Sequence, residues 1–368
     1  MIKMPNHILE FKLISILLFF LLVSCKARSN DHLVIEGFAN TQIDTLIEKA
    51  KIHLQTEKEY VAQVTQLKIF NNYIAIVDRF IGQQVFIFNK NGELICKVGK
   101  KGKGPGEYLL PLIAKIDNNK IYIASNKTKR IEVFEIPKGL YLESFIFPLK
   151  GAWHEVIYLN PDTIVVLNLS RYFPFSVSIF NNQGEELIEF SKIDKNFGLI
   201  FDRYYPAGGI AIDEKHNIYQ IFDHKYEVKY FNLKGELLRI YKLHSPYYHA
   251  PDYDRASHVK SREEEIEFFK SFSHINGIYL MDSNLFLVSF NSMQHKRISQ
   301  VLEIWNTKGN FIARFIIPGA EKLLGVEQNK LYFIKNGKIN AKGILENPII
   351  IVRELKEKVI STLSNLVP

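Results

Sequence analysis

The sequence predicts an all-β chain, a six-bladed β-propeller of four-stranded antiparallel blades in which an N-terminal strand closes the last blade. Three observations carry that prediction. A polar turn followed by alternating apolar residues occurs six times along the 368 residues. A second alternating run, ending in most copies on a glycine, follows each occurrence. The composition, with 27 Phe and 18 Tyr, suits pleated, half-buried surfaces.

Taken in order, residues 1–24 read as a signal peptide. Lys3, His7 and Lys12 precede an apolar run of 11 residues, Leu13 to Val23, too short to span a bilayer comfortably and typical of an export signal. The run ends in Leu22-Val-Ser-Cys25, which resembles the bacterial lipobox, a small residue before an invariant cysteine. That resemblance implies that Cys25 is lipidated and becomes the first residue of the mature protein. Two or more acyl chains hold a protein stably on a membrane. Residues 25–40 are polar and small and read as a flexible tether. Lys26 stands where an inner-membrane retention signal usually carries Asp, which favours the outer membrane, with the body facing the periplasm or the cell surface. The second cysteine, Cys96, falls in an alternating run and reads as an apolar filler; no disulfide or zinc spacing is present.

Residues 41–368 read as one propeller domain. The first repeated pattern is Asn71 to Asp78, then Asn118 to Ser125, Pro161 to Asn168, Lys215 to Phe222, Asp282 to Ser289 and Gln328 to Lys335. Its first aliphatic lies at 74, 121, 164, 218, 285 and 331, a period that fits blades and not shorter solenoids. The second pattern is Gln84 to Gly92, Arg130 to Gly139, Ser176 to Gly184, Glu227 to Gly235 and Leu302 to Gly309, with Pro348 to Val352 as a sixth copy lacking its glycine. Glycine there supplies the positive φ that tight hairpins demand. Each unit therefore holds strands A to D. A thin antiparallel sheet cannot bury both faces alone, and stacking sheets around an axis solves the problem. The sixth unit lacks a strand D, and Lys49 to Gln55 is strand-like and unassigned, so the N-terminal segment is expected to complete it.

At Val98 to Tyr108 four glycines and a proline follow the first strand D. The block Gly102-Lys-Gly-Pro-Gly-Glu-Tyr108, with Gly104, Pro105, Gly106, Glu107 and Tyr108 as its specific part, resembles the six-bladed β-propeller lipoproteins of Bacteroidetes, related in repeat style to NHL-type propellers. The resemblance covers about 41–352 and implies fold and envelope location more than activity.

In such a ring the D-to-A links and B-to-C loops share one face. Three of them are aromatic with Arg, His or Asp alongside: Arg171 to Phe175, Asp202 to Pro206 and Ser245 to Tyr253. Loops of this kind on a rigid scaffold suit recognition. The expected contacts are Arg171, Tyr172, Arg203, Tyr204, Tyr205, Tyr247, Tyr248 and His249, and the expected ligand is a glycan, a peptide or an envelope protein. An insertion, about 244–274, holds a short helix from Ser261, with Glu264 at the capping-box position.

Chemistry is less legible. The net charge is +8, but Lys and Arg are dispersed among the acids, so nucleic acid is not an expected partner. His244, His249, His258, His274 and His295 lack helical metal spacing, and Gly102–Gly106 fails the phosphate-loop pattern. No metal, cofactor or catalytic residue is assigned. A lyase or hydrolase using His, Arg and Tyr at the channel mouth is the alternative to a binding protein, and a structural subunit of an envelope complex is a third reading.

Overall fold

The computed structural model describes residues 32–360, apart from 57–59, 118, 148–152, 161, 169–174, 194–207, 293–298, 318, 320, 338–345 and 358. Cys25 lies outside the described residues. Strands β1 (Leu33–Phe38) and β2 (Ile47–His53) come first. Blade 1 is β3 (Gln66–Phe70), β4 (Tyr73–Asp78), β5 (Gln84–Asn89) and β6 (Leu94–Val98). A two-stranded parallel ribbon, β7 (Lys100–Lys101) and β8 (Glu107–Tyr108), leads into blade 2. That blade is β9 (Pro111–Asp117), β10 (Lys120–Ser125), β11 (Arg130–Glu135) and β12 (Leu140–Ile146). Blade 3 is β13 (Trp153–Asn160), β14 (Thr163–Asn168), β15 (Phe175–Phe180) and β16 (Glu186–Lys192). Blade 4 is β17 (Gly209–Ile212), β18 (Ile218–Ile221), β19 (Glu227–Phe231) and β20 (Leu237–His244). Helices α1 (Tyr253–His258) and α2 (Arg262–Phe269) precede blade 5, which is β21 (His274–Asp282), β22 (Leu285–Ser292), β23 (Ser299–Asn306) and β24 (Phe311–Ile317). Blade 6 is β25 (Glu321–Glu327), β26 (Lys330–Lys335) and β27 (Ile349–Glu354), with β2 as its fourth strand.

The predicted fold is therefore the observed one, and the closing strand sits where the missing D strand left a gap. β2 pairs antiparallel with β27 from Ile47↔Glu354 to His53↔Ile349. The first strands of the blades follow one another around the axis, with β13 and β17 joined through the Glu155 side chain.

Alternation decides where each side chain goes. Ile74 and Ile76 of β4 enter a cluster shared with Ile334, Ile350 and Val352 of blade 6, while Ala75 and Val77 enter one shared with Ile113, Ile121 and Phe134 of blade 2. Strands that feed two neighbours read as unbroken apolar runs, because period-2 side chains leave on both faces. Six such clusters, one per pair of adjacent blades, close the ring.

The repeated glycine turns share one device. Asn89 Oδ1 accepts from the amides of Asn91 (2.9 Å) and Glu93 (3.0 Å), and its Nδ2 donates to the Glu93 carboxylate (2.7 Å). Asn181 and Asn232 repeat the pattern toward Glu185 and Glu236. The side chain mimics a backbone turn, and Gly92 completes it at φ 90°.

The Gly-Pro-Gly-Glu-Tyr block is a joint between blades 1 and 2. Tyr108 is fully buried; its hydroxyl donates to the Val98 carbonyl and accepts from the Val85 amide (3.0 Å). Gly99, at φ 62°, leaves room for that ring: a Cβ there would lie 2.7 Å from Tyr108 and 2.8 Å from Phe134. Glu107 accepts from the Gly104 amide (2.8 Å), and that bond, with Lys100, holds its carboxyl below the usual range. Arg130 ties the turn down by donating to the Gly104 carbonyl (2.6 Å).

The segment read from sequence as the end of a tether forms β1, a fifth strand on the outer edge of β20. From there the chain runs along the perimeter. The Ala39 amide donates to the His244 carbonyl of blade 4 (2.8 Å), the Asp44 amide to the Arg314 carbonyl of blade 5 (2.7 Å), and the Gln55 amide to the Gly92 carbonyl of blade 1 (2.8 Å). With β2 on blade 6, residues 33–55 form a belt over four blades.

Candidate functional site

The two ends of the ring differ. A-to-B and C-to-D turns span two to five residues, whereas on the other, upper face the D-to-A links reach 29 residues, Ser245–Ser273. The upper ends of the inner strands frame the mouth of the central shaft. Four of these strands skip one residue of their ladder within their first four positions: Ala114 in β9, His154 in β13, Asn276 in β21 and Leu324 in β25. Such bulges re-aim side chains.

The most unusual group at this mouth is Arg79. Asp78, fully buried at the end of β4, accepts from four backbone amides, those of Ala62, Gln63, Ile81 and Gly82, at 2.9 to 3.2 Å. The carboxylate is saturated by the loop it folds, and the next residue turns inward. Arg79 reaches across to blade 3, where its Nη2 donates to the Trp153 carbonyl (2.7 Å); Asn126 donates to the same oxygen (3.1 Å). Among the described residues its Nε finds no hydrogen-bond partner. Only 8% of the residue is exposed, and burial pulls the guanidinium down to about 10.

His154, the bulged residue beside Trp153, senses that charge. Burial first, then Arg79 and Lys322, lower its pKa to about 4, against a backbone hydrogen bond at Gly208. Its ring is therefore neutral near pH 7. Lys322 stands on β25 of blade 6, opposite blade 3 in a ring of six, and burial lowers its pKa too. Both residues retain solvent-accessible surface, His154 in part and Lys322 more fully. Glu155, next on β13, accepts from the Ile210 amide (3.3 Å); burial raises its pKa, with Lys68 opposing.

Of the contacts expected from sequence, Arg171, Tyr172, Arg203, Tyr204 and Tyr205 lie outside the described residues. Tyr247, Tyr248 and His249 are on the upper face. Tyr248 stacks on Tyr226 (5.0 Å) and meets Phe290 edge-on (5.6 Å). Tyr247 lies under the Arg314 guanidinium (4.4 Å). Both rings thus join blades 4 and 5, while the exposed His249 donates its amide to Ser273 Oγ (3.0 Å). Arg79, His154 and Lys322 carry no aromatic cluster to draw attention. The rule that B-to-C loops and inner-strand ends share a face does place them at the mouth.

The insertion docks on the upper face as α1 and α2. Ser261 caps α2 in a capping box with Glu264, as expected, and Phe268 and Phe272 bury with Ala256. His274 anchors the pair: Nδ1 lies 3.1 Å from Asp223 Oδ2 and Nε2 lies 2.7 Å from the Phe269 carbonyl. Two acceptors require two N–H donors, hence an imidazolium. Burial opposes the proton, but Asp223 and the Phe269 carbonyl outweigh it, and the pKa is raised. A raised folded-state pKa stabilises fully below the unfolded value near 6.5 and is lost as pH rises through the folded value. Amide exchange across 250–273 is accordingly expected to accelerate as pH rises above about 6.5, after correction for intrinsic rates. His274→Gln should remove that extra pH dependence. An unchanged profile in the variant assigns the effect elsewhere.

A family model described as 6-bladed beta-propeller matches residues 24–246. No curated protein matches the sequence. Among solved structures, a Bacteroides fragilis NCTC 9343 protein described as exported aligns with TM-score 0.64 at 14% identity, covering 88% of this chain and 100% of that one. Virginiamycin B lyase from Staphylococcus aureus aligns with TM-score 0.47 at 10% identity, covering 83% and 99%.

Proposed function

Because this chain belongs to the 6-bladed beta-propeller family, we propose that it works as an exported, lipid-anchored binding protein that engages a ligand or protein partner through its upper face. The carrying observation is the asymmetry of the ring. Long, chemically varied links gather on one rim of a rigid scaffold, the usual division between support and recognition, while the opposite rim carries only tight turns. Export is supported by the leader-like residues 1–24 and by the description of the Bacteroides fragilis structure. Lipid anchoring at Cys25 rests on the lipobox resemblance, and the outer membrane on Lys26.

Two measurements test this. Cys25→Ala should move the protein from the membrane to the soluble fraction; retention in the membrane would refute the anchor. Screening the full chain against glycans and peptides should give a binder whose affinity falls in the variant carrying both Arg203→Ala and Tyr204→Ala, at unchanged melting temperature. A binder indifferent to every upper-face substitution would place recognition elsewhere.

A further inference from the structure

We propose that the mouth of the central shaft binds an anionic group, a carboxylate or a phosphate, on Arg79, Lys322 and His154. This deepens the upper-face reading and rests on it.

The fold's other inset arginines show what a buried guanidinium normally receives. Arg314 has Glu303 at 2.6 Å, Arg130 has Glu132 at 2.8 Å, and Arg353 has Glu321 at 2.7 Å. Arg79 is as deeply set as any but Arg314, yet no carboxylate pairs with it among the described residues, and Nε is unpartnered. Among the described residues Arg79 meets only the Trp153 carbonyl, at 2.7 Å, and the Phe80 ring, at 5.3 Å; neither is a counter-charge, and burying an unpaired charge is costly, so an external anion would complete the site. Two described acids adjoin Arg79 and His154 in sequence, and both are engaged by backbone amides. Asp78 is saturated by four amides, and Glu155 serves the Ile210 amide.

The neighbours add to the same sign. Lys322 approaches from blade 6 and His154 from blade 3, and both Arg79 and Lys322 act electrostatically on the imidazole. Arg79 bonds the carbonyl of the residue before His154, and Lys322 is the second residue of β25, at the upper end of the blade opposite; three donors from three separate elements thus stand at the same opening. An arginine fork binds carboxylate or phosphate oxygens in bidentate fashion, with lysine as a point charge beside it. A neutral His154 can donate one N–H to the same anion, or take up a proton once the anion offsets the repulsion. Because only 8% of Arg79 is exposed, a small anion or an acidic end-group suits it better than a broad surface.

The test uses the full chain purified in detergent, titrated calorimetrically at low ionic strength and pH 7 with inorganic phosphate and, separately, with succinate. Saturable one-site binding of at least one probe is expected, and the stronger of the two assigns the anion class. Lys322→Met should weaken it about tenfold or more, the loss of one charge-assisted contact. Arg79→Met should abolish it. If Arg79→Met melts early, the solvent-accessible Lys322 decides alone. Failure of both probes to bind, or equal affinity in wild type and Lys322→Met, overturns the anion site. Failure of both probes beside a neutral glycan or peptide that still binds the upper face would overturn the anion site while leaving the broader binding function standing.

Discussion

A chain that starts at residue 61 is expected not to fold cooperatively, whereas one that starts at residue 41 folds with a moderately lowered melting temperature. The longer truncation removes β2 and opens the edge of β27 along its whole length. It also takes Leu54 out of the cluster shared by blades 6 and 1. β2 hides little of its own surface, since all but one of its residues are exposed, so its contribution is mainly backbone pairing. Six paired positions at about 1 kcal/mol of net hydrogen bonding each, with about 2 kcal/mol for burying Leu54, approach the roughly 5–15 kcal/mol that holds a typical domain together. The shorter truncation removes β1, an extra edge on a blade that already has four strands, with the Ala39 amide bond to blade 4 and the Asn40 carbonyl that Arg314 meets. Circular dichroism melts of both truncations decide the matter. A chain starting at 61 that melts with the full-length protein would show that the ring closes through side-chain packing alone.

The difference between β2 and β1 also marks what the sequence could reveal. β2 was legible because a count came up short: five units had a strand D and the sixth did not, and an open edge must be paired or shielded. Its own residues, mostly exposed, read as a strand without saying which blade it joins. β1 has better strand character in Leu33 to Phe38, but blade 4 was already complete and no rule demands a fifth strand. Gly37 records its position only after folding, where a Cβ would lie 2.7 Å from the Gly309 carbonyl oxygen and 2.9 Å from Trp305. The repeated turns were legible through their glycines, which are local chemistry; the Asn and Glu that complete them emerged only in the structure. The shaft mouth was legible only as a place. Arg79, His154 and Lys322 come from blades 1, 3 and 6, and no spacing in one dimension announces that they meet. The aromatic loops drew attention through composition, yet composition does not separate a ring that greets a ligand from one like Tyr248, which stacks on Tyr226.

Replacing Arg314 with Met is expected to cost about 3–5 kcal/mol, the loss seen when one member of a buried ion pair is removed. Arg314 and Glu303 are both fully buried, on adjacent strands of blade 5, with Nη2 and Nε at 2.6 and 2.7 Å from the same carboxylate oxygen. The other oxygen accepts from Tyr226 of blade 4 (2.6 Å), whose hydroxyl accepts from Trp305 Nε1 (3.0 Å). Ser245 donates to the first oxygen (2.6 Å). Arg314 also donates to the carbonyls of Asn40 and Gln42, so one side chain fastens blade 5 to the belt while its partner fastens blade 5 to blade 4. Arg314→Met strands a carboxylate in the interior and unfastens the belt; Glu303→Met strands a guanidinium. The double variant removes both charges and should recover most of the loss, because an apolar pair of similar size often equals a buried ion pair. Urea melts of the wild type, the two single variants and the double variant give the coupling energy directly. Additive single effects would mean that the two groups act independently. Recovery short of the better single variant would show that Tyr226, Ser245 and the belt carbonyls, left without their charged partners, matter more than the pair itself.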